Sequence, residues 1–397
     1  MKRDIDKLYS ISKKKTRRII GLMSGTSLDG LDIAVCSITG SGSETKLVLE
    51  KFKTFLYETD IKNEIRGIFS RKDADLEKVC LLNEWIAVKH AKMINESLTE
   101  WKIAAEEIDI IASHGQTIYH APKHQHHNKK FGNATLQIGD GDHIAVNTGI
   151  ITISDFRQKH IAGGGEGAPL AAYGDRILFS DPEKDTLLLN IGGIANFTFL
   201  PAKISSQKMF STDVGPGNTL MDAWMQRNFP GSSFDKDAEV ALQGTVHQEL
   251  LEALLNNPFF LLDFPKTTGP ELFNLSYLEN AMNTLPEKNI PAADVMATLN
   301  VFTATVIVNS IKKIQQEGTS LDILISGGGI HNPLLLRYLK KNSEPALLRS
   351  TAEKNIDPDA KEAILFALLA NECVAGNNDT FKDLFPNVSM GKISFPT

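Results

Sequence analysis

Cysteine is scarce in this chain: Cys36, Cys80 and Cys373 are the only three among 397 residues, and no two form a C-x-x-C pair. That usage excludes a disulfide scaffold and fits a reducing, cytoplasmic setting with buried thiols. An excess of positive charge is also missing. The net charge of −6 argues against nucleic acid or a membrane surface as partner. No apolar run approaches the length that spans a bilayer. The basic start "MKRDIDKLYSISKKKTRR" lacks the apolar core and cleavage site of a secretory signal, so it reads as a solvated extension. A phosphate-binding lysine is absent as well. The stretch "GLMSGTSLDGLD" (21–32) is a glycine turn without G-K-[ST], and a strand rather than a helix follows it. Both the P-loop and the Rossmann turn are thereby excluded.

What is present describes a globular α/β chain, 42% hydrophobic and 23% charged, long enough for two domains. Strands are expected at 17–23, 31–38 and 47–57, with Asp29-Gly30 as the hairpin turn. Apolar residues at helical spacing predict a helix over 76–101. "IDIIASHG" then reads as a buried strand ended by its glycine. The pattern restarts in "TLLLNIGGIANFTFL", a strand, a Gly192-Gly193 turn and a second strand. It continues through "KMFSTDVGPGN", with Asn218 placed to cap the next helix. Further helices are expected at 250–256, 292–316 and 360–374, and a buried strand in "LDILISGGG". Strand, glycine turn, strand thus occurs at 21–38 and again at 187–200, each time opening one half of the chain. Two like-folded halves fit a nucleotide held by both; two unrelated hairpins fit the pattern equally well.

The chemistry-bearing residues gather at strand ends. Backbone N–H groups of the 25–32 turn, with the Thr26 and Ser27 hydroxyls, suit phosphate oxygens, and Asp29 and Asp32 suit Mg²⁺. The same Asp29-Gly30 also makes a plain hairpin. Gly327, Gly328 and Gly329 permit flat approach of a purine and its ribose, or simply a turn into a helix. Asp213, beside a Gly-Pro-Gly turn, suits a general base or a turn cap. Glu362 opens the last helix, where a carboxylate is favoured in any case. Asp155, Arg157 and Glu166 in "DFRQKHIAGGGEGAPL" are candidates for a polar ligand. His120, His124, His126 and His127 lie in a polar loop with no acidic or thiol ligand nearby in sequence, a poor metal site.

Taken together, "GLMSGTSLDGLD", "SHGQTIYH", "DFRQKHIAGGGEGAPL", "LNIGGIANFT", "DVGPGNTLMDAW", "SGGGIHNPLL" and "EAILFALLA" resemble, in order, the anhydro-N-acetylmuramic acid kinases of bacterial cell-wall recycling. The resemblance implies two actin/hexokinase-type, ribonuclease H-like α/β domains around a central ATP cleft. They are expected at 1–148, completed by 358–397, and at 149–357. It implies ATP and Mg²⁺ as cofactors, an amino sugar as small-molecule substrate, and a cytoplasmic homodimer. It assigns Gly25, Thr26, Ser27, Leu28, Asp29, Gly30, Leu31 and Asp32 to the phosphates, with Asp29 and Asp32 on the metal. Gly192 and Gly193 form the second phosphate turn, and Gly327 to Gly329 the nucleoside side. Asp213 is the implied catalytic base, while His114, Gln116, Asp155, Arg157 and Glu362 are implied sugar contacts. The chain departs from the family at Glu166, where glutamine is usual, at "AAYGD" (171–175), and in its longer 120–132 segment. A conventional sugar kinase acting on a free hydroxyl and a non-catalytic actin-like ATP-binding module are the competing readings.

Overall fold

Runs of β-branched and apolar residues build the first sheet: β1 (Thr16–Ser24), β2 (Gly30–Thr39), β3 (Lys46–Leu56), β4 (Ile110–Ala121), β5 (Ala134–Ile138) and β6 (Thr152–Ser154). These positions come from a computed structural model, which describes residues 2–25, 28–202, 207–287, 289–315, 320–350, 359–377, 381, 384 and 386–397. β1, β2 and β3 form an antiparallel meander, β4 runs parallel to β1, and β6 runs parallel to β4. β1 is buried along most of its length, and the apolar stripe of helix Leu76–Trp101 joins its core through Leu82, Ile86 and Ile94. Helix Lys361–Ala375 packs against β1, β2 and β4. That approach depends on Gly21, where a Cβ would lie 1.9 Å from the Ala363 carbonyl oxygen.

The second unit repeats the plan. β7 (Asp185–Ile191), β8 (Ile194–Leu200) and β9 (Phe210–Pro216) form a meander; β10 (Leu321–Ser326) runs parallel to β7 and β11 (Leu347–Ser350) parallel to β10. The strand order β11-β10-β7-β8-β9 matches β6-β4-β1-β2-β3 strand for strand. A short β12 (Lys392–Ser394) closes the first sheet beside β6. The chain is therefore a duplicated ribonuclease H-like α/β fold.

Several expectations need correction. The chain divides into Met1–Leu178 with Ile356–Thr397, and Phe179–Asn355, rather than at 148 and 357. The cause is β6, which pairs with β4 and β12 and keeps the segment after it in the first unit. β4 does not stop at Gly115. With φ at +74° that glycine bends the strand, which then pairs onward with β5. Among the described residues one helix, Ala292–Ile314, is long and apolar enough to span a bilayer by length and composition. Most of it is buried in the second unit's core, including Val295, Leu299, Phe302 and Ile307. Asn218 precedes helix Thr219–Asn228, but its side chain makes no capping bond. Of the three free cysteines, Cys36 is buried whereas Cys80 is exposed.

Candidate active site

In the first unit the turn after β1 is held from beneath. Thr26 and Ser27 lie outside the described residues. The Gly25 carbonyl accepts hydrogen bonds from Leu28 N–H (3.3 Å) and from Gln116 Nε2 (3.0 Å). Ser24 Oγ donates to Gln116 Oε1. Its only proton is then spent, so the Tyr57 hydroxyl must donate to Ser24 (2.8 Å) and His90 Nε2 must donate to Tyr57 (2.7 Å). With Nε2 protonated, Nδ1 of the neutral ring is an acceptor, and it is buried and unpartnered. Burial pushes the His90 pKa down to about 4. Gln116 is fully buried and its amide is committed to Ser24, Gly25 and Thr117. Its side chain braces the turn from below.

Leu28, at φ +59°, and Leu31 are buried in the core. Gly30 lets β2 close on β3, since a Cβ there would sit 2.0 Å from the Phe55 carbonyl oxygen. Asp29 is exposed, and its backbone carbonyl accepts from Tyr57 N–H. Asp32 is half-buried and accepts from Thr54 Oγ1 at 2.6 Å. Burial raises its pKa, the Thr54 bond opposes the rise, and the charge of Asp359 adds to it. Among the described residues no three His, Cys, Asp or Glu side chains cluster as a metal cage. Mg²⁺ does not require one, because it keeps its waters and takes one or two carboxylates with phosphate oxygens. A desolvated carboxylate beside a second acid fits such a cation.

Below this turn, His114 is buried and accepts from Arg157 Nε at Nε2 (2.9 Å), which leaves its Nδ1–H toward the Ser24 carbonyl (3.3 Å). Burial, and then the Arg157 charge, push its pKa down to about 3, so the ring is neutral. Arg157 also donates to the Gly167 carbonyl (2.8 Å) and feels the negative charge of Glu362. Glu362 itself is exposed on the first turn of helix Lys361–Ala375. Asp155 is paired with Lys392, so its carboxylate is already engaged. Glu166 is exposed, with His124 Nδ1 at 3.5 Å from its carboxylate. The histidine loop therefore has an acidic neighbour that its own sequence did not reveal.

In the second unit the Gly192-Gly193 turn joins β7 to β8. Gly192 O accepts from Asn218 N–H (2.8 Å), and Gly193 O from Gly217 N–H (2.8 Å) and Thr219 N–H (3.1 Å). Gly217 has to be glycine, since a Cβ would lie 2.2 Å from Gly192 O. Gly327, at φ +85°, packs against Asn190, and Gly329 against Ile191. Of the three glycines only Gly328 lines the adjoining concavity of about 670 Å³, together with Asn218, Asp222, Phe234 and His331. That volume suits a drug-sized or nucleoside-sized ligand.

Asp213 is half-buried on β9 beside a bulge, where the register with β8 shifts between Ala195 and Asn196. Bulges of this kind re-aim side chains. Its Oδ2 accepts from Thr268 N–H at 2.9 Å, and its own N–H donates to the Lys266 carbonyl at 2.9 Å. Burial raises its pKa, the Thr268 bond opposes that, and Glu271 raises it further. The segment "FPKTTGPE" (264–271) carried no motif in the sequence reading; only its packing against Thr212 and Asp213 marks it.

A family profile described as anhydro-N-acetylmuramic acid kinase matches residues 17–383. The chain is 53% identical over 400 residues to the anhydro-N-acetylmuramic acid kinase of Pseudoalteromonas atlantica, covering 100% of both chains. It is 38% identical over 395 residues to that of Caldanaerobacter subterraneus subsp. tengcongensis, covering 98% of this chain and 100% of the relative. A solved ROK hexokinase from Thermus thermophilus superposes with a TM-score of 0.35 at 12% identity, over 89% of this chain and 98% of that one, too weakly to bear on the fold.

Proposed function

The chain belongs to the anhydro-N-acetylmuramic acid kinase family, and on that premise we propose that it opens 1,6-anhydro-N-acetylmuramic acid with water while phosphorylating its O6 from ATP. The products are N-acetylmuramic acid 6-phosphate and ADP, a step of peptidoglycan recycling. We place it in the cytoplasm as a homodimer.

The observation that carries the mechanism is Asp213. A half-buried carboxylate with a raised pKa, one oxygen fixed by Thr268 N–H, leaves the other oxygen free to take a proton from water. A positioned base of this sort contributes about 10²–10⁴-fold. As the water oxygen bonds to C1, its proton passes to Asp213 and the C1–O6 bond breaks. O6 then attacks the γ-phosphorus, and the bond to the ADP oxygen breaks. Arg157, steadied by His114 and Gly167, and Glu362 serve the sugar. The turns at Gly25–Asp32 and Gly192-Gly193 serve the phosphates, and the Gly328 concavity the nucleoside. Asp29 and Asp32 would hold Mg²⁺, which neutralises phosphate charge when bound. Phosphoryl transfer asks mainly for positioning and charge stabilisation, which a turn without lysine supplies through backbone dipoles.

The test is turnover in ¹⁸O-water with the anhydro sugar, ATP and Mg²⁺. Label at C1 of the 6-phosphorylated product is expected. Product formed without label at C1 would overturn the hydrolytic step, and activity only on free hexosamines would favour a conventional kinase.

A further inference from the structure

Lys266 is an unusual lysine. It is 8% exposed, its Nζ donates to the Phe259 carbonyl at 2.8 Å, and it lies 4.3 Å from the Phe259 ring centroid and 5.4 Å from that of Phe264. Among the described residues no carboxylate is paired with it. A buried ammonium of this kind is held by charge-assisted hydrogen bonding and cation–π attraction. Its backbone is equally engaged. Lys266 N–H donates to Thr212 Oγ1 (2.9 Å), its carbonyl accepts from Thr212 Oγ1 (3.1 Å) and Asp213 N–H (2.9 Å), and two residues on Thr268 N–H reaches the Asp213 carboxylate.

We propose that Lys266 is a positioning residue for Asp213: its ammonium pins the 264–268 strap to the Phe259 turn, and the strap aims the carboxylate. The inference rests on Asp213 being the base. It goes further by assigning the aim of that carboxylate to a charge that never meets substrate. Lys313, on helix Ala292–Ile314, donates to the Phe260 carbonyl and shares the Phe264 ring with Lys266, so a second cation flanks the strap. Of the acids nearby, Asp213 lies on the braced strand and Glu271 acts on Asp213.

Burial first, then Lys313, push the Lys266 pKa down to about 8. The native state therefore gives up this proton before the unfolded chain does, whose lysine titrates near 10.4. Between those values the unfolded state binds more protons, so stability rises with pH. Over the same range the neutral amine loses its cation–π and charge-assisted hold, and the aim of Asp213 loosens. Activity and stability should thus move in opposite directions, which a merely structural lysine would not produce.

The experiment follows kcat from pH 7 to 9.5 in wild type, Lys266→Arg, Lys266→Met and Asp213→Asn, with melting curves and ATP binding alongside. Wild-type kcat should fall above about pH 8 while the melting temperature does not. Lys266→Arg should carry activity to higher pH, because guanidinium keeps its charge. Lys266→Met should lose about 10²-fold in kcat, the scale of a misplaced catalytic group, with ATP binding within about twofold of wild type. A flat wild-type profile overturns the proposal, as does an Arg variant with the same alkaline fall; both hold even where the Met variant fails to fold. Wild-type behaviour of a folded Lys266→Met, with Asp213→Asn inactive, overturns this inference alone. Turnover by Asp213→Asn overturns the base assignment beneath it.

Discussion

Replacing Gly21 by alanine adds a single methyl group, yet it should cost both stability and activity. The new Cβ would lie 1.9 Å from the Ala363 carbonyl oxygen, where ordinary contact begins at 3.4 Å, so β1 and helix Lys361–Ala375 must part by roughly 1.5 Å. The obstacle is backbone on both sides, and no side chain can swing away. Overpacking typically costs about 1–3 kcal/mol, and this site belongs at the upper end. For a unit of this size, about 3 kcal/mol lowers the melting temperature by roughly 6–12 °C. Glu362 directly precedes Ala363, so the same displacement moves the proposed sugar contact, and a shift of about 1 Å is worth about 10²-fold in kcat/KM. Differential scanning calorimetry and steady-state turnover of the anhydro sugar measure the two effects. A melting temperature within about 1 °C of wild type together with unchanged kcat/KM would refute the close-packing argument.

Two further predictions concern the buried histidines and the glycines. His90 and His114 are neutral in the fold, with pKa values near 4 and 3, against about 6.5 when unfolded. As pH falls below 6.5 only the unfolded chain takes up these protons, so stability should drop, each ring adding a slope of up to about 1.4 kcal/mol per pH unit. Urea titrations at pH 7 and pH 5 read the difference, and a His90→Gln slope no shallower than wild type would remove His90 as a source. Gly327→Ala meets Asn190 at 2.6 Å and a backbone φ of +85°, whereas Gly328→Ala meets only Asn218 at 3.5 Å. The melting temperature should fall by about 2–4 °C or more in the first, as expected when alanine is forced into a left-handed conformation, and change little in the second; equal effects would refute the geometric distinction.

Features set by local pattern were legible in the sequence. The helix expected over 76–101 forms as Leu76–Trp101, because apolar spacing and the Asp75 cap agree on its start. The Gly192-Gly193 hairpin follows from turn chemistry alone, whereas Asp29-Gly30 is not the turn itself: β1 ends at Ser24 and Gly30 already pairs with β3. What escaped reading is long-range. Gly115 looked like a strand end because nothing near it reveals β5, its partner from Gln116 onward. The bonds that bury Gln116 run to Ser24 and Gly25, residues far back in the chain that no local pattern points to. Lys266 and Thr268 had no signature, since their meaning arises only against Thr212 and Asp213.

Both glycine turns turn their carbonyl oxygens inward: Gly25 O toward Gln116, and Gly192 O and Gly193 O toward the start of helix Thr219–Asn228. For the phosphates proposed to bind there, each turn offers peptide dipoles and no amino group. Such a grip has no proton to lose in alkaline solution. It also presents no ε-amino group, so lysine acetylation, a modification that acts by cancelling charge, would find nothing to neutralise in either turn. Control of this protein by that route would have to act elsewhere.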